Sequence, residues 1–175
     1  MSTEKNLLNL IEKSGKKFDL QKEVMIKVEV YDEKTDSTTI EEAPIKIDKI
    51  FSPTKVKKCV YEYISNVTKM KSKYSQDDDY VGVLEPYLIF MLVKHFSSLG
   101  KDIPQDIPTQ IALMQNMIDS SALFQIMIKF DEDEITKIKE EIEIALAVFN
   151  ANLEEVGSKV KSIRHLVKNQ DVLGI

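Results

Sequence analysis

Cysteine occurs once in this chain, at Cys59, and one thiol permits neither an intramolecular disulfide nor a cysteine zinc cage. That usage suits a reducing cytosol. Histidine is nearly as scarce: only His95 and His165 are present, and neither has a ligand-type neighbour at metal-site spacing. The five glycines, Gly15, Gly82, Gly100, Gly157 and Gly174, are scattered. Phosphate-cradling loops need clustered glycines so that backbone amides can approach the anion, so neither a Walker loop nor a dinucleotide fingerprint can be drawn. Tryptophan is absent, which leaves the core to Ile, Leu, Val and Met. Long apolar runs are missing too. The longest, Tyr87 to Val93, is far below the roughly 20 residues that span a bilayer, and no apolar signal segment follows the N-terminus. The expectation is a cytoplasmic protein that holds no cofactor or metal and touches no membrane.

What remains is ordinary globular material. Hydrophobic residues make up 43% and charged residues 30% of 175 positions, enough for one domain with its own core. A net charge of -5 weakens the case for nonspecific nucleic-acid binding. Lys, Ile, Asp, Glu and Asn abound while arginine occurs once, at Arg164, a bias that suggests an AT-rich genome.

Along the chain, residues 4 to 14 carry Leu7, Leu8, Leu10 and Ile11 on a loose apolar side, the pattern of a short terminal helix, docked or frayed. Gly15 is expected to end it in a left-handed turn. Val24, Ile26, Val28 and Val30 then alternate with charged residues, the mark of a half-buried strand. Asp32 to Thr39 is rich in turn formers. Ile45 to Asp48 alternates again, an antiparallel return with Pro44 at its beginning or on an edge. Ser52-Pro53 opens a helix running to about Lys73, with Val56, Val60, Tyr63, Ile64, Val67, Met70 and Tyr74 along one face. From Glu85 to Leu99 the chain is apolar on nearly every side, as a central buried helix is, and Gly100 is expected to stop it. Ile103-Pro104 and Ile107-Pro108 read as a stiff connector before a helix from about Thr109 that turns Ile111, Met114, Met117 and Ile118 inward. Residues 122 to 130 fit a helix better than a third strand.

The last element carries the longest pattern. Asp131 and Glu134 have the spacing of a capping box. Ile135, Ile138, Ile142, Ala145, Phe149, Leu153, Val156, Val160, Ile163 and Val167 then recur in steps of three and four, a heptad seam with one stutter at Ala145-Phe149-Leu153. Unbroken, it would be on the order of 55 Å long, with Gly157 as its weak point. The seam either folds back on this domain's helices or pairs with another chain. Its residues Ile135, Ile138, Ile142, Phe149, Leu153, Val156, Val160 and Ile163 are the candidate partner interface.

Other features weigh toward bland accounts. Asp77, Asp79 and Gly82 match three positions of a calcium loop, but Val81 and Leu88 stand where oxygen ligands are required. Cys59 borders an apolar stripe and reads as a small buried thiol rather than a nucleophile paired with a histidine. Carboxylates over 131 to 155 read as a solvated face. Lys55, Lys58, Lys69 and Lys73 form a stripe along one helix that could contact phosphates or an acidic partner. Glu62 interrupts it, and no aromatic platform for bases is interleaved. Met114, Met117 and Met127 could furnish an adaptable partner groove, with core packing as the default.

In layout, the strand Val24 to Val30, the segment Ile45 to Lys58 and the helical stretch from Tyr87 onward resemble small morphogenesis proteins of tailed bacteriophages. The tail assembly chaperones of phages infecting AT-rich Gram-positive hosts are the nearest type. The resemblance implies binding another phage protein and guiding its assembly, without catalysis; it carries over no functional residue.

The sequence therefore predicts a mainly α (α+β) single domain over 1–175, a helical bundle with a small N-terminal β-hairpin and a long C-terminal helix. Residues 1–51 form the terminal helix and hairpin, 52–130 the helical core, and 131–170 the long amphipathic helix. The function it implies is a non-enzymatic interaction or assembly factor, phage or mobile-element encoded, acting in the host cytoplasm or the virion through a protein partner or self-association. The alternative is a nucleic-acid-associated regulator using the lysine stripe.

Overall fold

The structure, a computed structural model, describes residues 3–74 and 80–150, with side chains over 6–72 and 82–150. The fold class is as the sequence predicts: among the described residues, one antiparallel hairpin and otherwise helices. Two compact units are distinguished, Met1–Lys137 and Ile138–Ile175. In the first, helix α1 (Thr3–Gly15) runs into a 3-10 turn (Lys16–Asp19), then strands β1 (Gln21–Asp32) and β2 (Ser37–Asp48). Helices α2 (Pro53–Tyr74), α3 (Tyr80–Phe96), α4 (Ile107–Asp119) and α5 (Ala122–Met127) follow, with a second 3-10 turn (Ser98–Lys101) after α3. A last helix, α6, starts at 132; of the second unit, residues 138–150 are described, and they are helical.

Helix α3 is the centre. Tyr87, Phe90, Met91, Val93 and Phe96 have no exposed surface, as its all-round apolar sequence requires. Helix α2 lies antiparallel to it: Glu62 meets Lys94 and His95, while Asn66 meets Tyr87. Phe51, in the link from β2 to α2, stacks on Phe96 with ring centroids 3.7 Å apart, and Phe130 meets it edge-on at 5.5 Å. These rings close the core where hairpin and helices join.

The hairpin is longer than the alternation suggests. Each strand has twelve residues, with Val24 opposite Ile45 and Ile26 opposite Ala43, a reach of about 40 Å at the usual rise. Only its base is covered: Ile26, Ile45 and Ile47 are buried, whereas Val30, Tyr31 and Ile40 near the tip are exposed. The turn closes over residues 33–36, narrower than 32–39, because Asp32 accepts from Lys34 N–H and Thr35 Oγ1 and Asp36 takes φ 47°, which Asp tolerates. Pro44 stands inside β2, opposite Met25, not at its beginning. Lys46 N–H points outward to Ser98 Oγ, so two residues away the missing N–H of Pro44 also falls on the outer edge, where no ladder bond is lost.

Four helix ends differ from expectation. Gly15 is right-handed, φ -67°, so α1 passes directly into its 3-10 turn instead of ending in a left-handed cap. Helix α3 ends at Phe96 because Ser97 leaves helical geometry and caps Leu99 N–H. Gly100 lies beyond, under the Lys94 carbonyl, where a Cβ would collide with backbone. Helix α4 starts at Ile107 rather than Thr109: Asp106 caps Thr109 N–H, and Pro108 sits in the first turn, where no N–H is needed. Asp131 caps Asp133 N–H, but Glu134 does not return to close the capping box; its carboxylate binds Phe51 N–H and Lys137. Residues 122–127 are helical, and the chain turns over 128–129.

Candidate functional site

The inner face of the hairpin does not meet α4 closely. Between them lies a groove of about 440 Å³, walled by Ile26 and Val28 of β1, Ala43 and Ile45 of β2, Leu113 and Met117 of α4, Ile126 of α5, and Leu99 and Ile103. The hairpin is held across it at two points. Gln125 accepts from Lys27 N–H at 2.9 Å and donates to Lys27 C=O at 2.7 Å, so its amide imitates one rung of a strand. On the other edge Ser97 bridges Ile47 while Ser98 accepts from Lys46. These anchors fix the sheet at a distance from α4 that its own side chains do not fill. The groove's polar lining is Asp102, Asn116 and Ser120, of which Asn116 and Ser120 continue into a second pocket with Lys27, Glu29, Asp119 and Gln125. The rim is acidic: Lys27 pairs with Glu42 at 3.0 Å, leaving Glu29, Asp102 and Asp119 outside any described salt bridge.

Met117 thus lines a groove, while Met114 is core at 2% exposure. The sequence hints at a methionine-lined surface but not at its other wall, since the distance between hairpin and α4 is set by Gln125, Ser97 and Ser98.

Large apolar side chains are also uncovered elsewhere. On α1, Leu7, Leu8, Leu10 and Ile11 are each 57–62% exposed. Within the second unit Ile144, Leu146, Val148 and Phe149 are about half exposed. Of the seam residues, Ile138 is buried, Ile135 and Ile142 are half-buried and Phe149 is exposed; Leu153, Val156, Val160 and Ile163 lie outside the described residues. Ile144, Leu146 and Val148 stand off the three-four spacing, so a search for heptads passes over them.

The lysines of the stripe, all on α2, differ in their surroundings. Lys55 binds the buried carboxylate of Asp48 at 2.7 Å. Lys58 is exposed, Lys69 lines a small pocket with Asn66 and Asp106, and the side chain of Lys73 is outside the described residues. The remaining titratable cluster is internal. Glu62 bridges Lys94 and His95, and the hydrogen bond from His95, then that from Lys94, holds its carboxyl down at about 2. Beside it Cys59 is fully buried, and desolvation, with Glu62 adding, pushes the thiol up to about 12; such a thiol is not a nucleophile at neutral pH. Tyr87, pushed up to about 12 chiefly by burial, joins Asn66 and Gln110 in a buried chain of hydrogen bonds. Among the described residues no group of three or more His, Cys, Asp or Glu is placed to hold a metal, and no helix is long and apolar enough to cross a membrane.

A family model described as YomO matches residues 8–174. The chain is 28% identical over 140 residues to the SPbeta prophage-derived uncharacterized protein YomO of Bacillus subtilis (strain 168), covering 80% of this chain and 74% of that one. No solved structure matches.

Proposed function

We propose that this chain, which belongs to the YomO family and is of prophage type, is a non-enzymatic assembly factor or structural subunit that engages other proteins through apolar surfaces. The observation that carries this reading is the groove between hairpin and α4 together with α1, whose four large aliphatic side chains are more than half exposed. Single exposed apolar residues are unremarkable, but contiguous sets mark interaction sites. The titratable groups support the same reading: the Cys59 thiol is raised and buried, and the Glu62 carboxyl is depressed by its hydrogen bonds to His95 and Lys94. Neither is poised for proton transfer near neutrality. The work is done in the host cytoplasm or in the virion, in the manner of a tail assembly chaperone or a tail component.

The test is the solution mass of the purified chain, by light scattering after size exclusion at low and high salt, alone and with the other morphogenesis proteins of its phage. A salt-insensitive oligomer, or a defined complex with one of those proteins, supports the reading. A monomer that joins none of them overturns it.

A further inference from the structure

We infer that the groove between the hairpin and α4 receives helix α1 of a second copy of this chain. The inference rests on the reading of the protein as an interaction factor and names its partner. Helix α1 has thirteen residues, a length at which an isolated helix is marginal in water. Its aliphatic side chains at positions 7, 8, 10 and 11 follow the i, i+3, i+4 spacing of helices that lie in grooves, and they are exposed. The groove offers the matching half: an apolar slot bounded by Ile26, Ile45, Leu113 and Met117.

Charge fits as well. Lys13, Lys16 and Lys17 follow the apolar stretch of α1, while Asp102 lines the groove and Glu29 and Asp119 line the pocket that adjoins it. Opposed patches of this kind fix orientation and register.

The chain's own groove is out of reach of its own α1. Gly15 keeps helical geometry, α1 continues straight into the 3-10 turn, and Leu20 is tied by its carbonyl to Lys49 N–H at the hairpin base. No free linker exists to fold the helix back along a strand whose groove residues begin five positions further on, roughly 17 Å away. Reciprocal docking would close a two-fold dimer with two such contacts.

The experiment uses full-length chains carrying Leu10→Cys or Met117→Cys, oxidised gently alone and mixed. Cys59 is fully buried and does not compete. The expected result is a covalent dimer that forms in the mixture and is absent from either variant alone. Leu10→Asp should convert the wild-type dimer to monomer while leaving its circular dichroism unchanged. No mixed dimer, or an intrachain link that persists on dilution in a chain carrying both substitutions, overturns the inference. If the mixed link is absent while the wild type still associates or joins another phage protein, the contact is wrong and the interaction reading stands; a partnerless monomer removes both.

Discussion

Glu134 accepts a hydrogen bond from the backbone N–H of Phe51 at 2.8 Å, across 83 positions of sequence. Phe51 stacks on Phe96 and lies in the link from β2 to α2, so this bond ties the start of the last helix to the junction of hairpin and core. Both groups are buried; without Glu134 the Phe51 N–H would lose its partner, whereas the carboxylate would keep Lys137.

Removing the carboxylate should therefore cost more than an ordinary surface change. Glu134→Ala is expected to lower unfolding stability by about 2 kcal/mol, the cost of a buried orphan amide, and Glu134→Gln, which keeps an acceptor, by less. Urea denaturation of the three proteins checks the order; equal stability of Glu134→Ala and wild type would contradict it.

The Glu62 cluster gives the fold an acid limit. Its carboxyl is depressed from 4.5 to about 2 in the folded chain by His95 and Lys94. A depressed carboxyl contributes stability that is fully present above the unfolded value and is lost as pH falls through the folded one. The urea midpoint should fall between about pH 4.5 and pH 2, and Glu62→Gln should flatten that part of the profile. At pH 7 the same variant keeps an acceptor for the buried Lys94 ammonium but removes the charge that compensates it, at a cost of about 3 kcal/mol. A wild-type profile unchanged by Glu62→Gln would contradict the assignment.

Cys59 should behave as core. With its thiol raised to about 12 and no exposed surface, it is expected to resist thiol reagents at pH 8 in the folded protein and to react fully in denaturant. Rapid labelling of the native chain would place it at the surface.

How much of this was legible in the sequence depends on whether a feature is local. Periodicity locates α2, α3 and the hairpin, because a three-four or alternating pattern follows from which side faces the core. Proline and glycine mislead by a few residues: Pro108 reads as a breaker but serves as a first-turn residue, and Gly100 reads as a stop but is needed for close approach to Lys94. The groove was not legible. Its width comes from Gln125 reaching Lys27 and Ser98 reaching Lys46, contacts between residues 98 and 52 positions apart that no spacing rule joins. Glu134 fits a capping box in sequence, and only tertiary structure shows it spent on Phe51.

Core and surface aliphatics should part sharply under mutation. Met91→Ala, at a site with no exposed surface, is expected to cost about 2–5 kcal/mol. Leu10→Asp, at 57% exposure, should change the unfolding free energy of the monomer by no more than about 0.5 kcal/mol. Thermal or urea unfolding at low protein concentration makes the comparison; a large loss in Leu10→Asp there would mean that α1 is held by its own chain.

The central claim is that α1 exists to be covered by another protein surface, its own second copy first. Amide hydrogen exchange of the full-length chain, followed peptide by peptide as concentration rises, tests it most directly. Residues 3–15 are expected to exchange fast in dilute solution and to slow together with residues 112–119 of α4 as the chains associate. Exchange in α1 that stays fast at every concentration, or that is slow in the dilute monomer, would contradict it.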